Sequence, residues 1–137
     1  MDKTTLPRHT LAEMPKTPRS APNAHRVVEV LAYPSVQLLD VTGPLQVFAT
    51  ANDIVAETGH NLPYAPRVVA QAGRSITASA GLGLVATPLP TVGTSIDTLM
   101  IAGGQGVEAA ATDPALVNWI RQRSAEARRT ASVCTGA

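Results

Sequence analysis

The chain has 137 residues, room for one domain of ordinary size, and 45% of them are hydrophobic, with Ala and Val rather than aromatics (3%) supplying the bulk. Eleven basic against ten acidic residues leave a net charge of +1 and no basic stripe, so nothing in the segment itself indicates nucleic-acid contact. One cysteine excludes an internal disulfide and a Cys-rich metal site, no run approaches the ~18 apolar residues of a membrane span, and no signal-peptide core is present, so a reducing cytoplasm is the expected compartment.

Residues 1–25 carry Pro7, Pro15, Pro18 and Pro22 among Lys3, Arg8, Lys16 and Arg19, with no apolar period, and are expected to be a disordered polar tail. The folded part, 26–137, opens on the β-branched run Val27–Tyr33, ended by Pro34. Thr42 or Gly43 is then expected to cap a helix with Pro44 at its first position, where no N–H is needed, and Leu45, Phe48, Ala51 and Val55 share one face of it up to Gly59. Pro66 to Ala70 reads as the next strand, and Gly73, Gly81 and Gly83 punctuate a short hairpin or ribbon reaching Thr87. Asp97 to Ala102 reads as a buried strand ending on Gly103-Gly104. Asp113-Pro114 starts a helix with Leu116, Val117, Ile120 and Ala127 on one face and Arg121, Arg123, Glu126 and Arg128 mostly elsewhere. A last strand, Thr130 to Val133, delivers Cys134. This alternation predicts an α/β layer fold with a mostly parallel sheet, in which ligands sit at the carboxyl ends of the strands.

Three features fall on that rim: Asp40, Gly103-Gly104 and Cys134. Cys134 sits where a strand meets Thr135-Gly136-Ala137, the pattern of a nucleophile elbow, in which small neighbours permit a sharp turn and a following helix N-terminus favours the thiolate. The alternative is a small buried hydrophobe, the ordinary state of a free cysteine. Asp40 lies in the apolar stretch Leu38-Leu39-Asp40-Val41, where burial favours the neutral carboxyl and suits it to share or donate a proton; the alternative is a capping or turn aspartate. Gly103 and Gly104 can present backbone N–H groups to an oxyanion, or simply make a turn needing positive φ. The Gly103-Gly104-Gln105-Gly106 loop lacks the Lys-Ser/Thr of a phosphate-binding P-loop. His9, His25 and His60 read as surface residues, and Trp119 and Arg128-Arg129 as the packing edge and C-terminal charge compensation of a helix.

Together the strings Ala32-Tyr33-Pro34-Ser35-Val36-Gln37-Leu38-Leu39-Asp40-Val41-Thr42-Gly43-Pro44-Leu45-Gln46-Val47-Phe48, Asp97-Thr98-Leu99-Met100-Ile101-Ala102-Gly103-Gly104 and Ala131-Ser132-Val133-Cys134-Thr135-Gly136-Ala137 resemble the first half of a DJ-1/PfpI superfamily domain, a class I glutamine amidotransferase-like, flavodoxin-like three-layer sandwich. The resemblance covers about 26–137. It implies that Cys134 is the elbow cysteine, Asp40 the acidic residue facing it, Thr135 the residue beside the thiol that helps hold a ligand, and Gly104, with Gly103, the oxyanion-side loop.

Two branches share these strings: the ligand-sensing domain of AraC-type, GlxA-like transcriptional regulators, and isonitrile hydratase with related enzymes. The first implies a sensor of a small nitrogen-containing metabolite, homodimeric in the full-length parent, reaching DNA only through a C-terminal domain not contained in this segment. The second implies a Cys-dependent hydratase or amidase with Cys134 and Asp40 as catalytic residues. The resemblance implies no metal, no cofactor and no membrane. Because the sequence stops at the elbow, the expected sandwich is incomplete, with an open apolar face and an unpaired edge, and a third expectation is a truncated remnant without catalysis.

Overall fold

The computed structural model describes residues 24–71, 73 and 75–137. The expected N-terminal tail lies outside them apart from Ala24 and His25, both exposed. Strand β1 (Arg26–Leu31) leads into helix α1 (Leu38–Glu57), then β2 (Tyr64–Ala70), the ribbon β3 (Ser75–Thr77) and β4 (Gly83–Val85), and the short β5 (Thr87–Pro88). Strand β6 (Thr98–Ile101), helices α2 (Val107–Ala111) and α3 (Pro114–Glu126), and β7 (Arg129–Ser132) follow. Five strands form one sheet in the order β5-β2-β1-β6-β7, every neighbouring pair parallel, and β3 pairs antiparallel with β4. This is an α/β flavodoxin-like arrangement. From β1 the chain winds outward to β2 and β5, then crosses back to β6 on the other side of β1, so the carboxyl ends of β1 and β6 flank a switch point, where such sheets open a ligand crevice.

The pleat sorts the core into two. Val30 packs with Val41 of α1 and with Ile76 and Ala78 of the ribbon, while Leu31, Val69 and Leu99 pack against Leu116 and Trp119 of α3. Glu29, two positions from Leu31, therefore points to the α3 face.

Two helices depart from the expectations. Helix α1 begins at Leu38, six residues before Pro44, so neither Thr42 nor Gly43 caps it, and Gln37 stands at the N-cap without a side-chain bond. Pro44 sits inside the helix, where it removes only the bond to the Asp40 carbonyl. The early start comes from the tight loop before it: Asp40 N–H donates to Gln37 O (3.1 Å), and Thr42 Oγ1 bonds the Leu38 carbonyl (3.0 Å). Farther along, Asn52 clasps the main chain of Tyr64 with both amide atoms (2.9 and 3.0 Å), and Phe48 meets the Tyr64 ring edge-on at 4.9 Å.

Helix α3 starts as expected, with Asp113 accepting the N–H groups of Ala115 (2.9 Å) and Leu116 (3.2 Å). It ends at Glu126, however, which puts Ala127 and Arg128 outside it. Arg123, grouped with the residues expected mostly off the apolar face, is fully buried. Its guanidinium takes both Glu29 carboxylate oxygens (2.9 and 2.7 Å), the Thr94 carbonyl (2.6 Å) and Glu126 (2.9 Å). Arg67 completes the cluster on Glu29 at 2.5 Å. Arg128 compensates no helix end; it grips Asp97 with two bonds (2.7 and 3.0 Å), with Arg129 at 3.9 Å. Trp119 is buried rather than at an edge, its Nε1 donating to the Pro90 carbonyl at 3.0 Å. All four residues of β7 are exposed.

Candidate functional site

Three chain segments meet at the carboxyl ends of β1, β6 and β7. The loop after β1 is held from both sides: Ser35 N–H donates to Thr77 O of the ribbon (2.9 Å), and Gln37 N–H donates to Gly103 O after β6 (2.8 Å). Val36 and Gly104 form an isolated antiparallel bridge. Gly104 has φ +131°, and a Cβ there would strike the Gln37 nitrogen, so this crossing requires glycine.

Asp40, in the first turn of α1, is 9% exposed, and its Oδ2 accepts the Gly103 N–H at 3.0 Å. The Gly104 N–H donates to Thr135 Oγ1 at 3.2 Å. A Cβ on Gly103 would lie 2.6 Å from the Thr135 nitrogen, so the Gly103-Gly104 loop and the turn after β7 are in contact. The structure thus links Asp40, Gly103, Gly104 and Thr135 through consecutive contacts. Neither glycine N–H stands vacant, as the oxyanion reading requires: Asp40 occupies one and Thr135 the other. An incoming oxygen reaches the Gly104 N–H only by displacing the Thr135 hydroxyl.

Cys134 lies in the turn closed by the Gly136 N–H on the Val133 carbonyl (3.0 Å), while Val133 N–H remains tied to Ile101 O (2.9 Å). It is exposed and has φ +55°, in the left-handed region that costs a non-glycine residue about 1–2 kcal/mol. Gly136 packs so closely on the Ile101 carbonyl that no side chain fits there. The burial expected of an ordinary free cysteine is absent; the thiol faces solvent on a strained turn.

Two rim residues escaped the sequence reading. Ser35 also has positive φ (+61°), and its carbonyl accepts the Gly106 N–H at 3.2 Å beside Gly104. Tyr33 is 5% exposed and donates its hydroxyl to the Ala102 carbonyl at 2.7 Å. Burial first, then the charges of Asp40 and Cys134, push its phenol above the usual range, so it is a protonated donor at neutral pH. The signal for Tyr33 was its place between a strand and Pro34, where a buried phenol must find an acceptor.

The two described histidines stand apart from this cluster. His60 bonds Thr58 Oγ1 (2.8 Å) at the other end of α1, His25 is exposed before β1, and His9 lies outside the described residues. Among the described residues no group of three His, Cys, Asp or Glu side chains gathers as a metal site. No described helix is long and apolar enough to cross a membrane.

No protein-family model matches the chain. It is 34% identical over 113 residues to an uncharacterised protein encoded in the cpoL 5′ region of Streptomyces lividans, covering 82% of this chain and 75% of that one. It is 34% identical over 106 residues to the isonitrile hydratase of Pseudomonas putida (77% of this chain, 42% of that protein). A 45-residue stretch, 33% of this chain, is 49% identical to a helix-turn-helix-type transcriptional regulator of Mycobacterium tuberculosis and spans 17% of it. Among solved structures, a ThiJ/PfpI family protein from Pseudomonas syringae superposes with a TM-score of 0.69 at 26% identity, over 92% of this chain and 50% of that one. The chain thus spans half or less of the hydratase, of the regulator and of that structure.

Proposed function

From the DJ-1/PfpI superfamily, to which this chain belongs, we propose that it is the ligand-sensing part of a cytoplasmic AraC-type, GlxA-like transcriptional regulator. A small nitrogen-containing metabolite binds at Asp40, Gly103, Gly104, Cys134 and Thr135. The parent protein contacts DNA through a separate domain, acts as a homodimer, and responds because the ligand prefers one of its two states. The observation that carries this reading is the saturation of the rim: the Gly103 and Gly104 donors are already held by Asp40 and Thr135. Such a site recognises a ligand by exchanging hydrogen bonds, and an exchange that frees Thr135 moves the turn bearing Cys134. Identity to a regulator in a 45-residue stretch agrees with it.

A second reading is favoured by the exposed Cys134 on its strained turn and by the likeness to an isonitrile hydratase. There the Cys134 sulfur adds to the electrophilic carbon, Asp40 supplies and takes back the proton, and water releases the thiol. Net addition of water to an isonitrile yields an N-substituted formamide.

Both readings are tested by thermal unfolding of the chain with a panel of short alkyl isonitriles, amides and amines, alongside product analysis for formamide. The sensor reading expects a ligand to raise Tm without being consumed, and Asp40→Asn to abolish the rise. Formamide that disappears with Cys134→Ser establishes the enzyme. No Tm rise with any compound and no product defeats both.

A further inference from the structure

One peptide group links the two sides of the rim. The Ala102 carbonyl and the Gly103 N–H belong to the same planar amide. Its oxygen accepts the Tyr33 hydroxyl at 2.7 Å, and its N–H donates to Asp40 Oδ2 at 3.0 Å. The chain Tyr33 O–H to carbonyl, across the amide, to carboxyl oxygen runs in one direction, donor to acceptor at each step. In a low-dielectric interior such bonds polarise one another. Ala102 is fully buried, and Gly103, Asp40 and Tyr33 are all buried, so water does not screen the chain.

We propose that Tyr33 is a positioning residue of the candidate site: through the Ala102–Gly103 peptide its hydroxyl strengthens the Gly103 N–H donor and thereby fixes the Asp40 carboxyl. This rests on Asp40 belonging to the ligand site, but the hydrogen-bond relay exists with or without a ligand. Several features support it. The contact joins residues 69 apart in sequence and bridges the loop after β1 to the loop after β6. The ring is held in place independently of the hydroxyl, since a Cβ on Gly106 would lie 3.1 Å from Tyr33 Cδ2. Tyr33 also lies within the fields of both Asp40 and Cys134. A ring needed only to fill space is served equally well by phenylalanine.

The test is the amide spectrum of the 15N-labelled chain, with Gly103 as reporter of the relay and Gly106 as reporter of ring packing. In Tyr33→Phe the Gly103 proton moves upfield, toward its position in Asp40→Asn, and its hydrogen exchange quickens by about two-fold, while Gly106 stays in place. Should Tyr33→Phe not fold, 3-fluorotyrosine incorporation tests the opposite sign: its more acidic hydroxyl moves Gly103 downfield. Tyr64, the second tyrosine, sets its ring against Phe48 and its main chain against Asn52, and leaves Gly103 alone. A Gly103 resonance unmoved by either change overturns the proposal. So does a joint shift of Gly103 and Gly106, which means the ring merely packs. Because no ligand enters the measurement, a failure here leaves the sensor reading standing, and a failed ligand panel leaves the relay standing.

Discussion

Two carboxyl groups, Glu29 and Asp40, are buried on opposite sides of β1's path and are satisfied in opposite ways. Glu29, mid-strand and fully buried, is met by Arg123 and Arg67; burial alone raises a carboxyl, but the two guanidinium groups outweigh it and hold Glu29 below the usual carboxylate range. Asp40, at the rim, is met by a backbone N–H, in a chain of contacts that ends on Thr135, the residue after an exposed cysteine with positive φ. Fixed opposite charges around Glu29 leave nothing to exchange. Around Asp40 and Thr135 the donors are neutral: the Asp40 bond is buried, but the Gly104–Thr135 bond beside it lies at the exposed surface and is open to exchange. The first cluster serves stability, and the second is where we propose that a ligand binds.

Breaking the Glu29 cluster gives the largest effect. Arg123→Met leaves the buried Glu29 carboxylate with the half-exposed Arg67 alone and lowers unfolding free energy in urea by about 3 kcal/mol, whereas Glu29→Leu combined with Arg123→Met recovers most of it. Gly104→Ala matches it in size: the Cβ meets Gln37 across the rim and the residue cannot readily keep φ +131°. It costs about 3 kcal/mol in the same assay and abolishes the ligand-induced Tm rise.

Acid distinguishes the clusters without mutation. Burial raises the Asp97 carboxyl as well, but Arg128 and Thr98 outweigh it and leave it lowered, as Glu29 is. A depressed folded-state value gives stability that is complete above the unfolded values near ~4 and is lost as the pH falls through the folded ones. Urea midpoints are therefore expected to be level from about pH 7 to 5 and to drop steeply below about pH 4, with the drop reduced in the Glu29→Leu, Arg123→Met pair. Asp40→Asn has a smaller effect on stability, about 1 kcal/mol, because one hydrogen bond is weakened, yet it removes the ligand response entirely.

Much of this was legible in the sequence where one local rule acts alone. The alternation of apolar runs predicted the parallel sheet, Asp113-Pro114 announced the start of α3, and Asp40, Gly103-Gly104 and Cys134 were assigned to one rim because strands in such sheets end on the same side. Where two rules compete, the reading failed. Pro44 was taken as a helix start because proline favours the first turn, but Asp40 N–H on Gln37 O and Thr42 on the Leu38 carbonyl begin the helix earlier. Arg123 was grouped with the charged residues lying mostly off the apolar face, although its spacing from Leu116, Trp119 and Ile120 put it on their face; a glutamate in the apolar run Val27–Leu31 was the clue that a buried cation must exist. The occupation of both glycine amides, and the Tyr33 relay, depend on contacts between residues more than 30 apart and leave no local trace.

The central claim is that the rim holds Cys134 in a strained conformation for binding, not for stability, and it is tested most directly by urea unfolding of Cys134→Gly. Glycine adopts φ +55° without steric cost, and the relief exceeds the extra freedom of the unfolded chain, so the account predicts a gain of about 0.5 kcal/mol accompanied by loss of the ligand response. A variant that unfolds more easily than the parent contradicts it: Cys134 then belongs to the packing of the fold, and the rim loses its claim to be a site.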